Sequence, residues 1–398
     1  MSNEPRRGAA SITAVNTLAF ALSFAAWVAL GPSTRAIASE LHLTSGAAAL
    51  LKGAPILVGA AMRLPVGVLT DRLGARLTFA LVQLVAAVGA MIVATAHSLA
   101  VMMVGALTLG LVGTTFVVGA QSVSAWTPPD RRGLALGVFG TGNVGAALTT
   151  FALPIVIASH GFRAGLRLYA VILVACAATY VALVRDAPMP RRRFADLVAP
   201  LFTARAWALG LFYAATFGAF VATTLLASDL YLDVYRVDVR TAGALTTTFT
   251  FGASVLRVLG GKLSDRFGAT PVMRVSLLVI AASLAPVTFA PPLAVAAVCI
   301  FVAGVAMGIG ASAPLKYVAV EFPSTVGAVS GVVGAIGGLA GFVLPMLSAA
   351  VKGATRSASW ALAPVIALAF VAGVLHALPT QGAGGGTGAL APSIPPPR

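Results

Sequence analysis

The stretch PILVGAAMRLPVGVLTDRLGAR, residues 55–76, carries one arginine inside an apolar run. Arg63 precedes the polar pair Asp71 and Arg72 by about 12 Å, at about 1.5 Å of helical rise per residue. If that pair marks a membrane surface, a half-thickness of about 15 Å places Arg63 near the middle of the bilayer. An unpaired arginine at that depth costs at least about 2.5 kcal/mol, so we expect it to have a functional partner.

The chain as a whole is too apolar for a water-soluble protein. Of its 398 residues, 59% are hydrophobic and only 9% are charged, whereas soluble domains carry about 25% charged residues. Twelve apolar runs are each long enough to cross a bilayer as a helix. The sequence therefore predicts an all-α integral membrane protein with twelve transmembrane helices. The predicted spans are 11–31, 46–69, 76–96, 99–123, 133–157, 164–184, 206–228, 242–262, 271–291, 293–317, 326–350 and 357–378.

The net charge of +15 is distributed by membrane side and not as a patch for nucleic acid. With both termini in the cytoplasm, sixteen Lys and Arg residues fall on the cytoplasmic side and eight on the other, while Arg63 and Arg257 lie within the membrane. This bias follows the positive-inside rule. We therefore expect a multi-pass protein of the cell inner (plasma) membrane that contacts the lipid bilayer, binds no nucleic acid and works as a monomer.

One long polar segment divides the chain into two halves of six helices. It covers 185–205 and contains three prolines and a run of three arginines, as expected for a linker on the cytoplasmic leaflet. The halves are 11–184 and 206–378. They are preceded by a cytoplasmic N-terminus, 1–10. They are followed by a Gly/Pro-rich tail, 379–398, which we expect to be disordered.

An internal repeat relates the two halves at a constant offset of 194 residues, so we predict that they are pseudo-symmetric. It carries Arg63, Gly67, Asp71, Arg72 and Gly74 onto Arg257, Gly261, Asp265, Arg266 and Gly268, and also Gly137 onto Gly331 and Gly140 onto Gly334. Arg63 in helix two and Arg257 in helix eight are therefore expected at the same depth, facing each other across the interface between the halves. Transporters of duplicated halves commonly bind their substrates there.

Two facing guanidinium groups predict an anion as the substrate. Each group is permanently charged, planar and forked, which suits flat oxyanions. No Asp or Glu lies near the middle of any predicted span to neutralise the pair. The missing counter-charge is most simply a small anion. The alternative is that one or both arginines extend their guanidinium groups to the membrane surface or donate hydrogen bonds to helix carbonyls.

Helix five supplies one strongly polar side chain near this depth, Asn143, in a segment thinned by glycines. Its amide can donate a hydrogen bond to an anion oxygen or, alternatively, only to a neighbouring helix. Glycines at this spacing let a neighbouring backbone approach closely. Helix eleven repeats the glycines without the asparagine.

These motifs together resemble the nitrate/nitrite porter family of the major facilitator superfamily, over residues 11–378. GVLTDRLGAR (67–76) is similar to the superfamily's loop signature between helices two and three, and RLPVGVLTDR and RVLGGKLSDR match helices two and eight of the family. GTGNVGAAL (140–148) and GAIGGLAGF (334–342) resemble its paired glycine-rich nitrate signatures. LFYAATFGAF (211–220) resembles its aromatic segment in helix seven.

The resemblance implies the major facilitator fold and a set of site residues. The implied substrate-binding residues are Arg63, Arg257, Asn143, Tyr213, Phe217 and Phe116. The implied glycine-rich signature residues are Gly137, Gly140, Gly142, Gly145, Gly331, Gly334, Gly337 and Gly338. From their position at the predicted membrane surface, we expect interhelical ion pairs at a cytoplasmic gate from Asp71, Arg72, Arg76, Asp265 and Arg266.

Lys52, eleven residues before Arg63, is three turns away on the same helix face. We expect it either to draw anions to the external mouth or to extend its amine to the membrane surface.

The predicted function is nitrate/nitrite transport by alternating access of the two halves. One bound anion lowers the electrostatic cost of the two arginines, so the loaded carrier should reorient more readily than the empty one. That asymmetry favours nitrate/nitrite exchange. Proton-coupled nitrate symport, a porter for another small or organic anion, and a nitrate receptor remain as alternatives. No catalytic constellation, metal-binding spacing or cofactor motif indicates an enzyme.

Overall fold

The computed structural model describes residues 8–128, 132–186, 195, 203–322 and 326–377. Most of the predicted N-terminal segment 1–10 and of the linker 185–205 lies outside these residues, and the tail 379–398 lies wholly outside them. The described chain is helical, and we number its membrane helices α1 to α12. They are α1 (Ala9–Leu41), α2 (Ser45–Ala61 with Arg63–Leu73), α3 (Ala75–Thr95), α4 (Leu99–Trp126), α5 and α6 (together Ala135–Leu183), α7 (Ala204–Tyr235), α8 (Val239–Phe267), α9 (Ala269–Phe289), α10 (Leu293–Val318), α11 (Val326–Thr355) and α12 (Ala358–Ala377).

The stretch that contains α5 and α6 folds back on itself. A straight helix of its 49 residues would be about 74 Å long, more than twice the hydrocarbon thickness of about 30 Å. At Gly161 the backbone leaves the helical region, with φ 77°, and the hydroxyls of Thr149 and Tyr169 lie 2.6 Å apart across the bend. We infer that α5 covers 135–160 and α6 covers 162–183.

Within the described residues, ten stretches are long and apolar enough to cross a membrane, or eleven if the bent α2 counts as one span. Dividing α5 from α6 brings the number to twelve, the number predicted from the sequence. The first span is longer than predicted: it ends at Leu41 instead of residue 31, because the helix continues through the polar residues Ser33, Thr34 and Arg35.

The outer surface of the bundle is strongly apolar. Phe289, Leu278 and Leu18 are more than two-thirds exposed, which would be unfavourable in water over so large a surface. In lipid the same side chains face hydrocarbon, while each helix satisfies its own backbone hydrogen bonds. The all-α membrane fold predicted from the sequence is confirmed.

The most extensive contacts between the halves are those of α2 with α11 and of α5 with α8. The turns after Leu41, Tyr235 and Thr355 meet on one face of the molecule, which we call the distal face. The turns at Gly74 and Gly268 lie on the opposite, proximal face. Helix α11 packs mainly on the distal segment of α2, Ser45–Ala61, so the halves are closed together on the distal side.

The internal repeat is visible in the backbone. Gly74 ends α2 with φ 84° and ψ 160°, and Gly268 ends α8 with φ 85° and ψ 157°. These residues are related by the offset of 194 and adopt the same left-handed turn, which side chains disfavour. The two halves therefore leave their second helices by the same turn.

This turn makes the Gly268→Ala variant a test of backbone strain. At φ 85° an alanine is expected to cost about 1–3 kcal/mol, although nothing but Pro271 lies near the added Cβ. Gly261→Ala is the matched control, since Gly261 is helical with open space around its Cβ position. Thermal unfolding in detergent should show a lower Tm for Gly268→Ala and an unchanged or higher Tm for the control. Equal Tm values would contradict the strained turn.

Candidate anion-binding site

Arg63 lies at a bend in α2, where the segments on either side of Met62 meet at 43°. Its side chain is 2% exposed. The Nη1 group donates to the backbone carbonyl of Gly334 in α11, which belongs to the other half. The guanidinium thus leaves its own helix and enters the interface between the halves.

Arg257 occupies the corresponding place in α8 and is 5% exposed. Its Nη2 group donates to the Tyr213 hydroxyl at 2.8 Å, and the Ser312 hydroxyl donates to the Arg257 carbonyl at 2.9 Å. The structure thus places one buried arginine from each half at the interface, at positions related by the repeat.

A single aromatic ring faces both guanidinium groups. The ring centroid of Phe217 is 5.8 Å from Arg63 Cζ and 5.6 Å from Arg257 Cζ. Tyr213 stacks on Phe217 at 5.0 Å. Both rings belong to a widened turn of α7, Ala214–Gly218 and the residue before it, and such turns recur at functional sites.

Phe116 of α4 also contacts this region, with its ring centroid 5.4 Å from Arg63 Cζ. It packs in a cluster with Phe20 and Phe139. All three aromatic residues that the family resemblance implied, Phe116, Tyr213 and Phe217, therefore lie within 6 Å of an arginine.

Trp27 is a site residue that the sequence reasoning missed. Its ring is 5.8 Å from Arg63 Cζ, and its Nε1 donates to the Pro55 carbonyl at 2.8 Å. The indole also fills the space above Gly59, where an added Cβ would overlap it. The predicted span 11–31 placed Trp27 near a membrane surface, where Trp is common, and that placement concealed its central position in α1.

Asn143 lies in a tight turn of α5, Thr141–Val144, and is almost completely buried. It lines a small cavity together with Phe217, Ser254 and Arg257. The cavity of about 10 Å³ is close to the space that one water molecule needs. The Oδ1 atom of Asn143, which can only accept a hydrogen bond, has no partner within the described part of the chain.

The glycines of α5 and α11 make room for the arginines in a crossed arrangement. A Cβ at Gly334 would lie 3.0 Å from Arg63 Nη1, and a Cβ at Gly140 would lie 3.4 Å from Arg257 Nε. Each glycine helix thus receives the arginine of the opposite half.

The other signature glycines have different neighbours. Gly142 and Gly145 pack against α1, and Gly338 packs against Ala60, with its Cβ position 3.6 Å from Arg63 Cζ. Gly337 accommodates the Tyr213 ring. Gly331 is close only to Leu64, and Gly137 has open space around its Cβ position.

The two arginines carry no carboxylate partner among the described residues, whose ion pairs lie elsewhere. Both guanidinium groups lie within 6 Å of the Phe217 ring centroid, so their like charges repel each other. Arg63 does donate to a helix carbonyl, as the alternative interpretation supposed, but that carbonyl uses only one of its five N–H groups. Its Nε has no partner within the described chain. The site therefore holds two positive charges with unused donors.

The predicted gate residues lie on the proximal side, and their observed bonds stay within one half. Asp265 of α8 pairs with Lys316 of α10. The Arg76 backbone N–H donates to Asp186 at 2.9 Å, and its Nε donates to the Val181 carbonyl. Arg266 faces the ring of Phe267. The Asp71 side chain lies outside the described part of the structure, and no described ion pair includes Arg72.

The fold and the buried cations between its halves define a two-half membrane transporter. Residues 17–238 and 206–392 match the family model of the Major Facilitator Superfamily. A bacterial homologue of the human lysosomal transporter Spinster, in an inward-facing and occupied conformation, superposes with TM-score 0.74 at 16% identity, over 94% of this chain and 97% of that chain. A D-xylose–proton symporter superposes with TM-score 0.72 at 17% identity, over 92% and 96%. At these identities the likeness concerns the fold alone.

Sequence relatives are more specific. The chain is 37% identical to a probable nitrate/nitrite antiporter, NarK1, of Thermus thermophilus, covering 84% of this chain and 83% of the relative. It is 36% identical to a probable nitrate/nitrite transporter, NarK2, of Mycobacterium tuberculosis, covering 86% and 89%. A nitrite extrusion protein of Bacillus subtilis is 29% identical over 86% and 87%. The chain belongs to the nitrate/nitrite transporter family of the Major Facilitator Superfamily and is a transporter, not an enzyme, which confirms the family resemblance.

The glycine contact with Arg63 gives a test of site geometry. In Gly334→Ala the new Cβ displaces the guanidinium, and we expect nitrate, used as a probe anion, to bind about tenfold more weakly, which corresponds to about 1.4 kcal/mol. Gly137→Ala is the matched control because its Cβ meets nothing within 4 Å. Isothermal titration of the purified proteins measures both affinities. A Gly334→Ala variant that binds as tightly as the parent would show that Arg63 needs no such clearance.

The tryptophan gives a second test. Trp27→Phe removes the hydrogen bond to Pro55 and is expected to lower the free energy of unfolding by about 1 kcal/mol, besides weakening anion binding through Arg63. Trp360→Phe serves as the control, since Trp360 is exposed on the outer surface. Thermal unfolding measures the first effect and nitrate titration the second. An unchanged nitrate affinity would show that Trp27 does not position Arg63.

Proposed function

We propose that this protein exchanges nitrate and nitrite across the membrane by alternating access, with the anion held between Arg63 and Arg257. The observation that carries the proposal is the pair of buried guanidinium groups, one from each half, that share the Phe217 ring without a described carboxylate partner. The relatives named as nitrate/nitrite transporters and antiporters support this choice of substrate.

Electrostatics supports an anion between the arginines. At an effective dielectric constant of about 20, a unit charge 4 Å from an opposite charge gains about 4 kcal/mol. A monovalent anion between the groups gains this attraction twice and screens their mutual repulsion. The site is therefore more stable when occupied than when empty.

The donors around the site suit a small planar oxyanion. Arg63 and Arg257 each use one nitrogen in an observed hydrogen bond, to Gly334 and Tyr213 respectively, and keep the rest of the fork. The Asn143 amide offers two further N–H donors when it turns toward the ligand. Tyr213 stacks on one face of Phe217, and the other face can lie against a planar ligand once the site opens.

The small cavity beside Asn143 and Arg257 suggests how the transport cycle proceeds. It holds about one water, so nitrate binding requires the halves to move apart around the arginines. Rocking of the halves about a central site is the usual mechanism in folds built from repeats. We place both termini in the cytoplasm and expect the monomer to perform the whole cycle.

Exchange follows from the cost of the empty site. An empty carrier would have to reorient with two uncompensated positive charges, whereas the loaded carrier has only one in excess. We therefore expect nitrate uptake into proteoliposomes to depend on nitrite or nitrate inside. Uptake that proceeds undiminished without internal anion, and that moves with protons, would contradict exchange in favour of proton-coupled symport.

Substitution of the arginines tests the site itself. Arg63→Lys and Arg257→Lys keep the charge but lose the planar fork, and each is expected to reduce nitrate counterflow at least about 100-fold, corresponding to about 2.7 kcal/mol. Arg205→Lys is the matched control, because Arg205 pairs with Glu321 away from the site. Counterflow of labelled nitrate is the measurement. Near-parental rates in both site variants would remove the basis of the proposal.

A further inference from the structure

A second charged region lies on the distal face, apart from the central site. It surrounds a cavity of about 460 Å³ between α1, α2, α7 and α11. Six charged side chains line this cavity: Arg35, Lys52, Asp229, Asp233, Lys352 and Arg356. We call them the distal cluster. Four of the six are cations, so the cluster carries two positive charges in excess.

The ion pairs of the distal cluster connect the two halves. Arg35 of α1 donates to Asp233 of α7 at 2.7 Å and lies 3.6 Å from Asp229. Lys52 of α2 binds Asp229 directly and donates to the Leu225 carbonyl at 3.1 Å. Lys352 of α11 also reaches Asp233, at 3.2 Å. Two cations of the N-terminal half are thus held by two carboxylates of the C-terminal half.

Lys52 shows how tightly this connection is made. Its side chain is 7% exposed, so it neither extends to the membrane surface nor stands free at the mouth. A lysine buried to this degree needs a partner, and its described partners both belong to α7.

Ion pairs elsewhere in the described chain stay within one half. Arg163 binds Glu40 at 2.6 Å inside the N-terminal half. Arg205 binds Glu321, and Lys316 binds Asp265, inside the C-terminal half. Only the distal cluster therefore holds described ion pairs that must break when the halves separate on that face.

The carboxylates of Asp229 and Asp233 bind these cations at positions where a different planar oxyanion could bind instead. A carboxylate and nitrate are both flat, carry one delocalised negative charge and accept forked hydrogen bonds from a guanidinium. Arg356 lines the same cavity and forms no ion pair within the described residues. The cavity is open enough for a small anion to reach these cations.

We propose that the distal cluster is an outer binding site for a monovalent planar oxyanion, which competes with Asp229 and Asp233 for Arg35 and Lys52 and so unlocks the distal face. This inference rests on the proposed function, because it supplies the entry step for an anion carrier. Lys52 precedes Arg63 by eleven residues, about 16 Å along α2. An anion released from the cluster can therefore pass down the same helix to the central site.

A reporter cysteine below the cluster tests the lock. Ile56 lies on α2 between Lys52 and Arg63, is fully buried, and would be 3.1 Å from a Cβ at Gly341 in the other half. In Ile56→Cys, a membrane-impermeant maleimide should react only when the distal face opens. In spheroplasts the reagent reaches the external surface of the membrane, and in inverted vesicles it reaches the cytoplasmic surface. The parent protein without the reporter gives the background labelling of Cys176 and Cys299.

The lock predicts fast labelling when the carboxylates are neutralised. Asp229→Asn with Asp233→Asn should raise the labelling rate from the distal side at least about tenfold without nitrate. Glu40→Gln is the matched control, since it breaks an ion pair on the same face but inside one half, and should change the rate less than about twofold. Unchanged labelling in the double variant would overturn the lock.

The outer site predicts that nitrate acts before it reaches the central arginines. External nitrate should accelerate labelling of the reporter protein, and should still do so with Arg63→Lys and Arg257→Lys present. Arg356→Gln, which leaves the described ion pairs intact, should raise the nitrate concentration for half effect severalfold. Acceleration that disappears in the arginine variants would overturn the outer site. Nitrate-dependent labelling in a protein that transports no nitrate would instead refute the proposed function alone.

Discussion

Two buried positive charges, one from each half and without a described carboxylate partner, are the constraint on which the structure depends. Arg63 and Arg257 repel each other, and their burial removes most of the solvation that would stabilise each one alone. The neighbouring aromatic faces, the Gly334 carbonyl and the Tyr213 hydroxyl replace part of the lost solvation. The remaining positive charge lies at the interface between the halves, so the charge of the site affects how stably the halves pack together.

Small residues make this arrangement possible. The arginine of each half extends across the interface, and the opposite helix offers a glycine at the point of arrival, Gly334 for Arg63 and Gly140 for Arg257. Close approach of helices also improves their van der Waals contact, which drives association in lipid. The same glycines thus bring the helices close together and leave room for the cations. Any side chain at either glycine position would either push the helices apart or displace the arginine.

The sequence was sufficient for the features that repeat or that a bilayer imposes. The length of the apolar runs predicts the helices, and the offset of 194 predicts that Arg63 and Arg257 meet. Long-range pairing was beyond it, because the pattern within α2 does not reveal that Lys52 binds Asp229. The fold-back at Gly161 lies in the predicted break between the spans 133–157 and 164–184, but the role of Trp27 was missed, since the predicted first span ended at residue 31 and left the polar end of α1 outside the membrane. The family resemblance, not the residue pattern, indicated Tyr213, Phe217 and Phe116.

The repeat is broken at one place in the site. The offset that relates the arginines carries Asn143 onto Gly337, and Gly337 is where the Tyr213 ring packs. The N-terminal half therefore contributes the Asn143 amide. At the equivalent position the C-terminal half has Gly337, which leaves space for the Tyr213 phenol that accepts a hydrogen bond from Arg257. A ligand between two identical forks could bind in either of two equivalent poses. With an amide on one side and a phenol on the other, the two poses of an anion at the proposed site would differ in energy, so the anion would bind in one preferred orientation.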